Sequence, residues 1–359
     1  MKVHEVRSWH EDVPLSRPYA IAGRRIDAVR LFFVELIDDR GRVGLGSAAP
    51  SEAVTGESYD ACTTALSDDA LGWLVGEDAR HIGRTTGIAA DTMAGTPAAR
   101  AAVDMALWDL FGQRLEVPLV DLFGARRREP LPTSITVGIQ SIDDALDDTR
   151  EYLDRGFRCL KVKIGDDWRE DVERLERLRA LVGPTVAIRV DANEGYGRDE
   201  LTRLATLVDR LDLELVEQPL PRGAAHADPD ATPTSLRPRI AADESCHDAT
   251  DALDLIHRRA CGIFNIKLMK CGGPTGGRQI AELAEIAGLD LMWGCMDESV
   301  ISIAAALHTA YASPRTRYLD LDGSFDLARD PAVGGFQLDD GGRLRLTGGP
   351  GLGVSLRRS

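Results

Sequence analysis

From Thr133 onward the chain repeats one pattern: a short run rich in β-branched and apolar residues, then a longer stretch with helical spacing. The runs are SITVGI, CLKVKI, AIRVD, LELVE, IAAD, FNIKL, LMWG and YLDL, eight in all. Strands that alternate with helices lie parallel, and eight such units are the number that closes a (β/α) barrel. One link differs: RGAAHADPDATPTSLRPR, before the fifth strand, is too rich in proline for a full helix and predicts a loop with at most a short helical turn.

In a barrel of this kind, chemistry sits at the C-terminal ends of the strands. Strand two carries Lys161 and Lys163, strand three ends at Asp191, strand four at Glu217, strand five at Asp243 and strand six at Lys267, while strand eight carries Asp320 and Asp322. The steps from Asp191 to Glu217 to Asp243 to Lys267 are 26, 26 and 24 residues, about one strand plus one helix each. A surface charge pattern has no reason to keep that step. Strands two and six are opposite one another in a ring of eight, so Lys163 and Lys267 face across the mouth with the three acids side by side between them. Three carboxylates without histidine or cysteine make a hard-oxygen site that suits Mg2+. Period-two alternation puts Lys161 with Lys163, Asn265 with Lys267, and Asp320 with Asp322 on common faces.

Each piece also has a plain structural reading. Asp243 suits the N-cap of the next helix, Asp320 and Asp322 suit turn chemistry before Gly323, and Asp297 with Glu298 suit the cap of SVISIAAALHTA. KCGGPTGG lacks the Lys-Ser/Thr of a phosphate-binding loop and reads as a structural turn; GRVGLGSA lies in a hairpin and not before a helix, so it is no dinucleotide fingerprint. Joint placement on six of eight strands is what the plain readings leave unexplained.

The first third has a different character. VRLFFVELID and GRVGLGSA, joined by DRGR, predict an antiparallel hairpin, and TPAARAAVDMALWDLFGQRL predicts a helix with Thr96 as N-cap and Pro97 at its first position. The expected organisation is an α+β capping domain over 1–125, a barrel over 126–325, and a tail over 326–359 that returns to the cap. Lys+Arg 43 against Asp+Glu 58 leaves a net charge of −15, which argues against nucleic acid and anionic membrane surfaces as partners. No apolar stretch approaches the roughly 18 residues of a membrane span. The six cysteines form no CxxC pair and read as buried thiols of a cytoplasmic protein.

With LKVKI, VDANEGY, VEQPL, ADES and FNIKLMKCGG on nearly the full length, the chain resembles the enolase superfamily, muconate lactonizing enzyme subgroup. The implied fold is a modified TIM barrel of (β/α)7β type with a capping domain. The implied chemistry is proton abstraction beside a carboxylate, with lysine bases and Mg2+ on Asp191, Glu217 and Asp243. Asn193 and Glu244 belong to the same motifs, with Asn265, as supports of that site. TSITVGI, with Thr136, and YLDLDG are similar to the dipeptide epimerases, in which the aspartate pair meets the substrate ammonium. The resemblance therefore implies a dipeptide substrate whose C-terminal α-carbon is inverted by Lys163 and Lys267 on opposite faces, with Lys161 as an electrostatic helper whose proximity lowers the pKa of its neighbour. Ser47 stands where the family often has Glu.

Side-chain preference is divided. Arg24 is similar to the family arginine that meets a glutamate substrate, whereas Asp297 after strand seven, Glu52 in the first-domain loop APSEAVTGES and the net charge point to dipeptides with basic side chains. The sequence reading leans to the basic dipeptides. An L-Ala-D/L-Glu epimerase, an N-succinylamino acid racemase, an o-succinylbenzoate synthase and a muconate cycloisomerase would use the same lysines and metal, and a ligand-binding barrel without catalysis is the reading from another class. A homo-oligomer is compatible with the sequence.

Overall fold

A computed structural model describes residues 2–21, 24–124, 127, 129–223 and 232–357, without the side chains of 18–21 and 24–25. The chain opens with a long antiparallel pair, β1 (Val3–Ile21) and β2 (Arg24–Asp38), and β2 pairs again with β3 (Val43–Ala48) through the expected hairpin. The helix Pro97–Leu115 packs across β3. It approaches so closely because its face is built of Ala98, Ala102 and Ala106, all buried, and β3 offers glycine. A Cβ on Gly46 would lie 1.8 Å from the Ala102 carbonyl oxygen, which explains GLGS without any nucleotide. Pro97 does start this helix and Thr96 occupies the N-cap, but the Thr96 side chain makes no capping bond. Glu57 caps it instead, accepting from Ala98 N at 2.7 Å and Ala99 N at 3.3 Å from forty residues upstream.

The eight strand runs all form. They are β4 (Ile135–Val137), β5 (Cys159–Lys163), β6 (Ala187–Asp191), β7 (Leu213–Glu217), β8 (Ile240–Ala242), β9 (Ile263–Lys267), β10 (Asp290–Gly294) and β11 (Thr316–Asp320), parallel neighbours in sequence order. An isolated parallel bridge between Thr133 and Leu319 brings the two ends of the sheet together. Before β8, the described part of the proline-rich link holds only the 3-10 turn Arg237–Arg239, and 224–231 lie outside the described residues.

Among the described residues, no helix follows β11. The chain instead forms two small antiparallel pairs, β12 (Ala332–Gly334) with β15 (Val354–Leu356) and β13 (Phe336–Leu338) with β14 (Leu344–Leu346). One buried carboxylate ties this tail to the first sheet: Asp109 accepts from Leu45 N and from Leu352 N, both at 2.8 Å. The cap docks on the barrel at KCGGPTGG. Arg100 donates to the Cys271 carbonyl, Asp104 accepts from Thr275 N and Oγ1, and a Cβ on Gly272 would strike the Arg100 guanidinium at 2.0 Å. The glycine-rich stretch is a seat for the cap helix. Among the described residues, no helix is long and apolar enough to cross a membrane.

Candidate active site

At the C-terminal ends of adjacent parallel strands the register is strict. Lys163 pairs with Asp191, Asp191 with Glu217, and Gly294 with both Lys267 and Asp320. That alignment brings the predicted residues to one level. Asp191, Glu217 and Asp243 are fully buried, as are Lys161 and Lys267 to within a few per cent, and Lys163 keeps 27% of its side chain exposed. β5 and β9 are four strands apart in the sheet order, so the two flanking lysines approach the acids from opposite sides. Lys163 Nζ lies 2.7 Å from Asp191 Oδ2 and Lys267 Nζ lies 2.8 Å from Asp243 Oδ2. Lys161 sits between them, 3.0 Å from Asp191, 2.9 Å from Glu217 and 2.8 Å from Asp320.

The charges set one another's proton affinity. Burial lowers that of Lys161 and Lys267, but the carboxylates around them outweigh it and hold both ammonium groups above the ordinary lysine range. Both ammonium groups lie directly on the acids, which is why burial does not prevail. Burial likewise works to raise Asp191 and Asp243, and their lysines pull both below the usual carboxylate range. Glu217 goes the other way, pushed up to about 8 by burial and by Asp191. The crowded carboxylates thus raise one another's proton affinity, and Glu217, at the centre of the row, shows it most.

Whether the acids fit a hard cation is decided by their free oxygens. As they stand, no three acidic, histidine or cysteine side chains among the described residues converge on one point. Yet Glu217 Oε2, Glu244 Oε2 and Asn265 Oδ1 are buried oxygens that make no hydrogen bond; Lys161 stands beside the first at an angle unsuited to one. A buried oxygen left so is costly, and hard oxygens on three neighbouring strand ends are what Mg2+ takes. The oxygen chemistry fits the ion, with Glu217 offering the free oxygen among the three predicted acids, while Asp191 and Asp243 spend theirs on Asn193 N, Lys163, Lys267 and Lys270.

The supports come from neighbouring strand ends. Asn193, in the left-handed region at φ 38°, accepts from Lys163 at 2.7 Å and donates to Glu244 Oε1 at 3.0 Å. Asn265 donates to Glu217 Oε1 at 2.8 Å. Asp320 is buried with both oxygens engaged, one by Lys161 and the other by Ser134 at 2.6 Å. Asp322 keeps some exposed surface and accepts from Thr136 N and Thr136 Oγ1, both at 2.9 Å. Burial and the neighbouring Asp320 push Asp322 up to about 7.

The specificity candidates come from other segments. Asp297 is half-buried in the loop after β10 and is not the helix cap: Ser299 occupies that position, and Asp330 from the tail accepts from Val300 N. Glu298 is buried and accepts from Met296 N. Glu52 is exposed on the first-domain loop. Arg24 opens β2, but its side chain lies outside the described residues.

Three site residues escaped the sequence reading. Lys270 grips Asp243 Oδ1 and the Asp243 carbonyl, both at 2.5 Å; its signal was a second lysine one helical turn after Lys267. Gln218 accepts from Asp243 N and Ser245 N, fixing the fifth strand end from the fourth, and its only signal was adjacency to Glu217. Ser134 had none.

Comparison with known proteins agrees with this geometry. The family profile for the mandelate racemase / muconate lactonizing enzyme N-terminal domain matches residues 3–124, and the enolase C-terminal domain-like profile matches 144–359. The chain belongs to the mandelate racemase and muconate lactonizing enzyme family of the enolase superfamily. Among its relatives, an L-Lys-D/L-Arg epimerase of Methylococcus capsulatus is 52% identical over 99% of both chains, and one of Desulforapulum autotrophicum is 48% identical over the same shares. A crystal structure of the dipeptide epimerase from Methylococcus capsulatus with Mg and the dipeptide L-Arg-D-Lys superposes with a TM-score of 0.94 at 51% identity, covering 99% of each chain.

Proposed function

We propose that this protein is a Mg2+-dependent dipeptide epimerase that inverts the α-carbon of the C-terminal residue and favours dipeptides with basic side chains. The observation that carries the chemistry is the placement of Lys163 and Lys267 on opposite strands, each touching an outer acid of the same carboxylate row. Inversion needs a proton taken from one face and returned to the other, and this pair supplies one group per face. Asp191, Glu217 and Asp243 would hold Mg2+, which when bound supplies Lewis-acid stabilisation of the negative charge that develops as the α-proton leaves. Lys161 adds fixed positive charge at the same place, and Asp322, oriented by Thr136, is the carboxylate to receive the substrate ammonium.

The basic preference is supported by the identity with two L-Lys-D/L-Arg epimerases and by the acids Glu52 and Asp297 on the loops expected to meet the side chains. Free thiols, five of the six buried, suit a reducing compartment such as the cytoplasm. The test is incubation with L-Ala-L-Glu and with dipeptides of Lys and Arg in D2O with Mg2+, followed by optical rotation and mass spectrometry. Deuterium should enter the α-position of the C-terminal residue, with higher kcat/KM for the basic dipeptides. No exchange from any dipeptide would overturn the activity; a clear preference for L-Ala-L-Glu would overturn the specificity and hand it to Arg24.

A further inference from the structure

The loop that carries Glu52 is held at both ends and at its tip. At the N-terminal end, Ala49 N donates to Met269 Sδ at 3.4 Å, two residues beyond Lys267. At the C-terminal end Glu57 is buried as the cap of the helix Pro97–Leu115. Within the loop, Thr55 Oγ1 donates to the Ser51 carbonyl and accepts from Ser51 N, closing the turn around Glu52.

The tip is met by two barrel residues. His247, four residues after Asp243, puts Nε2 3.3 Å from the Val54 carbonyl oxygen. Arg222, in the loop after β7, reaches the Ala53 carbonyl with Nη2 at 3.5 Å and is itself held by the Glu194 carboxylate. A carbonyl only accepts, so His247 must carry its proton on Nε2. Its other ring nitrogen, unprotonated in that tautomer, lies 3.5 Å from Asp251, and Asp251 accepts from His247 N at 2.9 Å, which fixes the backbone that carries the ring. Burial, then the nearby Lys270, lower the His247 pKa, so the ring is neutral at neutral pH and one hydrogen bond is its whole hold on the loop.

We infer that His247, with Arg222 as its second hand, is a positioning residue for substrate specificity: it clamps the two residues after Glu52 to the barrel and so sets where that carboxylate meets a basic side chain. This rests on the basic-dipeptide reading above. A loop clamped before substrate arrives loses little freedom on binding, so releasing it weakens side-chain recognition and leaves the proton-transfer step alone.

The test compares kcat/KM for a Lys-containing dipeptide with that for L-Ala-L-Glu. His247→Ala should lower this ratio about five-fold, the worth of one neutral hydrogen bond, through KM with kcat held. His247→Gln, whose amide nitrogen also donates, should restore it. In a Glu52→Gln background His247→Ala should have no further effect on the ratio, because the clamp acts through Glu52. An unmoved ratio in folded His247→Ala, or an equal loss with and without Glu52, overturns the inference. If His247→Ala does not fold, Arg222→Ala on the exposed side of the clamp decides, a lowered ratio supporting the clamp and an unchanged one overturning it. A parent enzyme with no basic preference would overturn the specificity reading and the clamp together; a parent with the preference but an unmoved variant ratio overturns the clamp alone.

Discussion

Asp322→Asn isolates the charge that is meant to recognise the substrate. The carboxylate accepts two hydrogen bonds from Thr136, N and Oγ1, both through Oδ2, and a long one from Cys295 Sγ at 3.9 Å through Oδ1. Asparagine keeps an oxygen for those donors, so the strand end is held while the negative charge is lost. Removing one partner of a desolvated charge pair costs roughly 3 kcal/mol, the lower end because Asp322 is only partly buried, or about 100-fold in kcat/KM. Thr136→Val removes one hydroxyl donor to the carboxylate and leaves the backbone donor, so its effect should be about ten-fold. The assay is initial-rate epimerisation of a free dipeptide and of its N-acetyl derivative. Parent enzyme should discriminate strongly against the acetylated substrate, and Asp322→Asn should lose activity on the free dipeptide alone. A pH profile gives an independent check. Asp322 sits at about 7 because burial and then Asp320 raise it, and only its ionised form pairs with an ammonium. Its contribution to kcat/KM therefore grows as pH rises through about 7 and is lost below, and the Asn variant should lack that acid limb. Equal losses on free and acetylated substrates would refute the reasoning, since the residue would then be supporting the fold and not the ammonium.

Lys163→Ala and Lys267→Ala should each abolish epimerisation while retaining α-proton exchange with one stereoisomer, measured by deuterium uptake; full epimerisation in either would sink the two-base scheme. Thorough chelation should stop turnover and Mg2+ should restore it, with Glu217→Gln folded by circular dichroism but weakened in Mg2+ binding by calorimetry. Glu57→Ala leaves two buried backbone donors without their acceptor and should lower stability by about 2 kcal/mol in urea unfolding, at the upper end for a helix cap.

The strands were legible because periodicity and spacing survive in a single sequence: each of the eight runs formed, and the acids and lysines fell at one depth as their steps required. The supports were not, because they depend on contacts between distant elements. Glu57 caps a helix forty residues away, where the local rule pointed to Thr96. Ser134 reaches Asp320 only because the first and last barrel strands meet, a closure that no window of sequence contains. The helix cap expected of Asp297 went to Ser299, since Asp330 arrives from the tail to complete that end.

The same distinction explains why Asp320 and Asp322, two residues apart at one strand end, do different work. Alternation puts both on the same face, so sequence treats them as a pair. Depth separates them. Asp320 lies within reach of Lys161 and Ser134 and spends both oxygens there, which lowers its proton affinity against the effect of burial. Asp322 lies beyond the strand end with neutral donors from Thr136 and Cys295, and burial together with the charge of Asp320 beside it raises its own proton affinity. One aspartate is thereby committed to the lysine that serves the reaction centre. The other keeps an oxygen free of any cation, and it is the carboxylate that the proposed function assigns to the substrate ammonium.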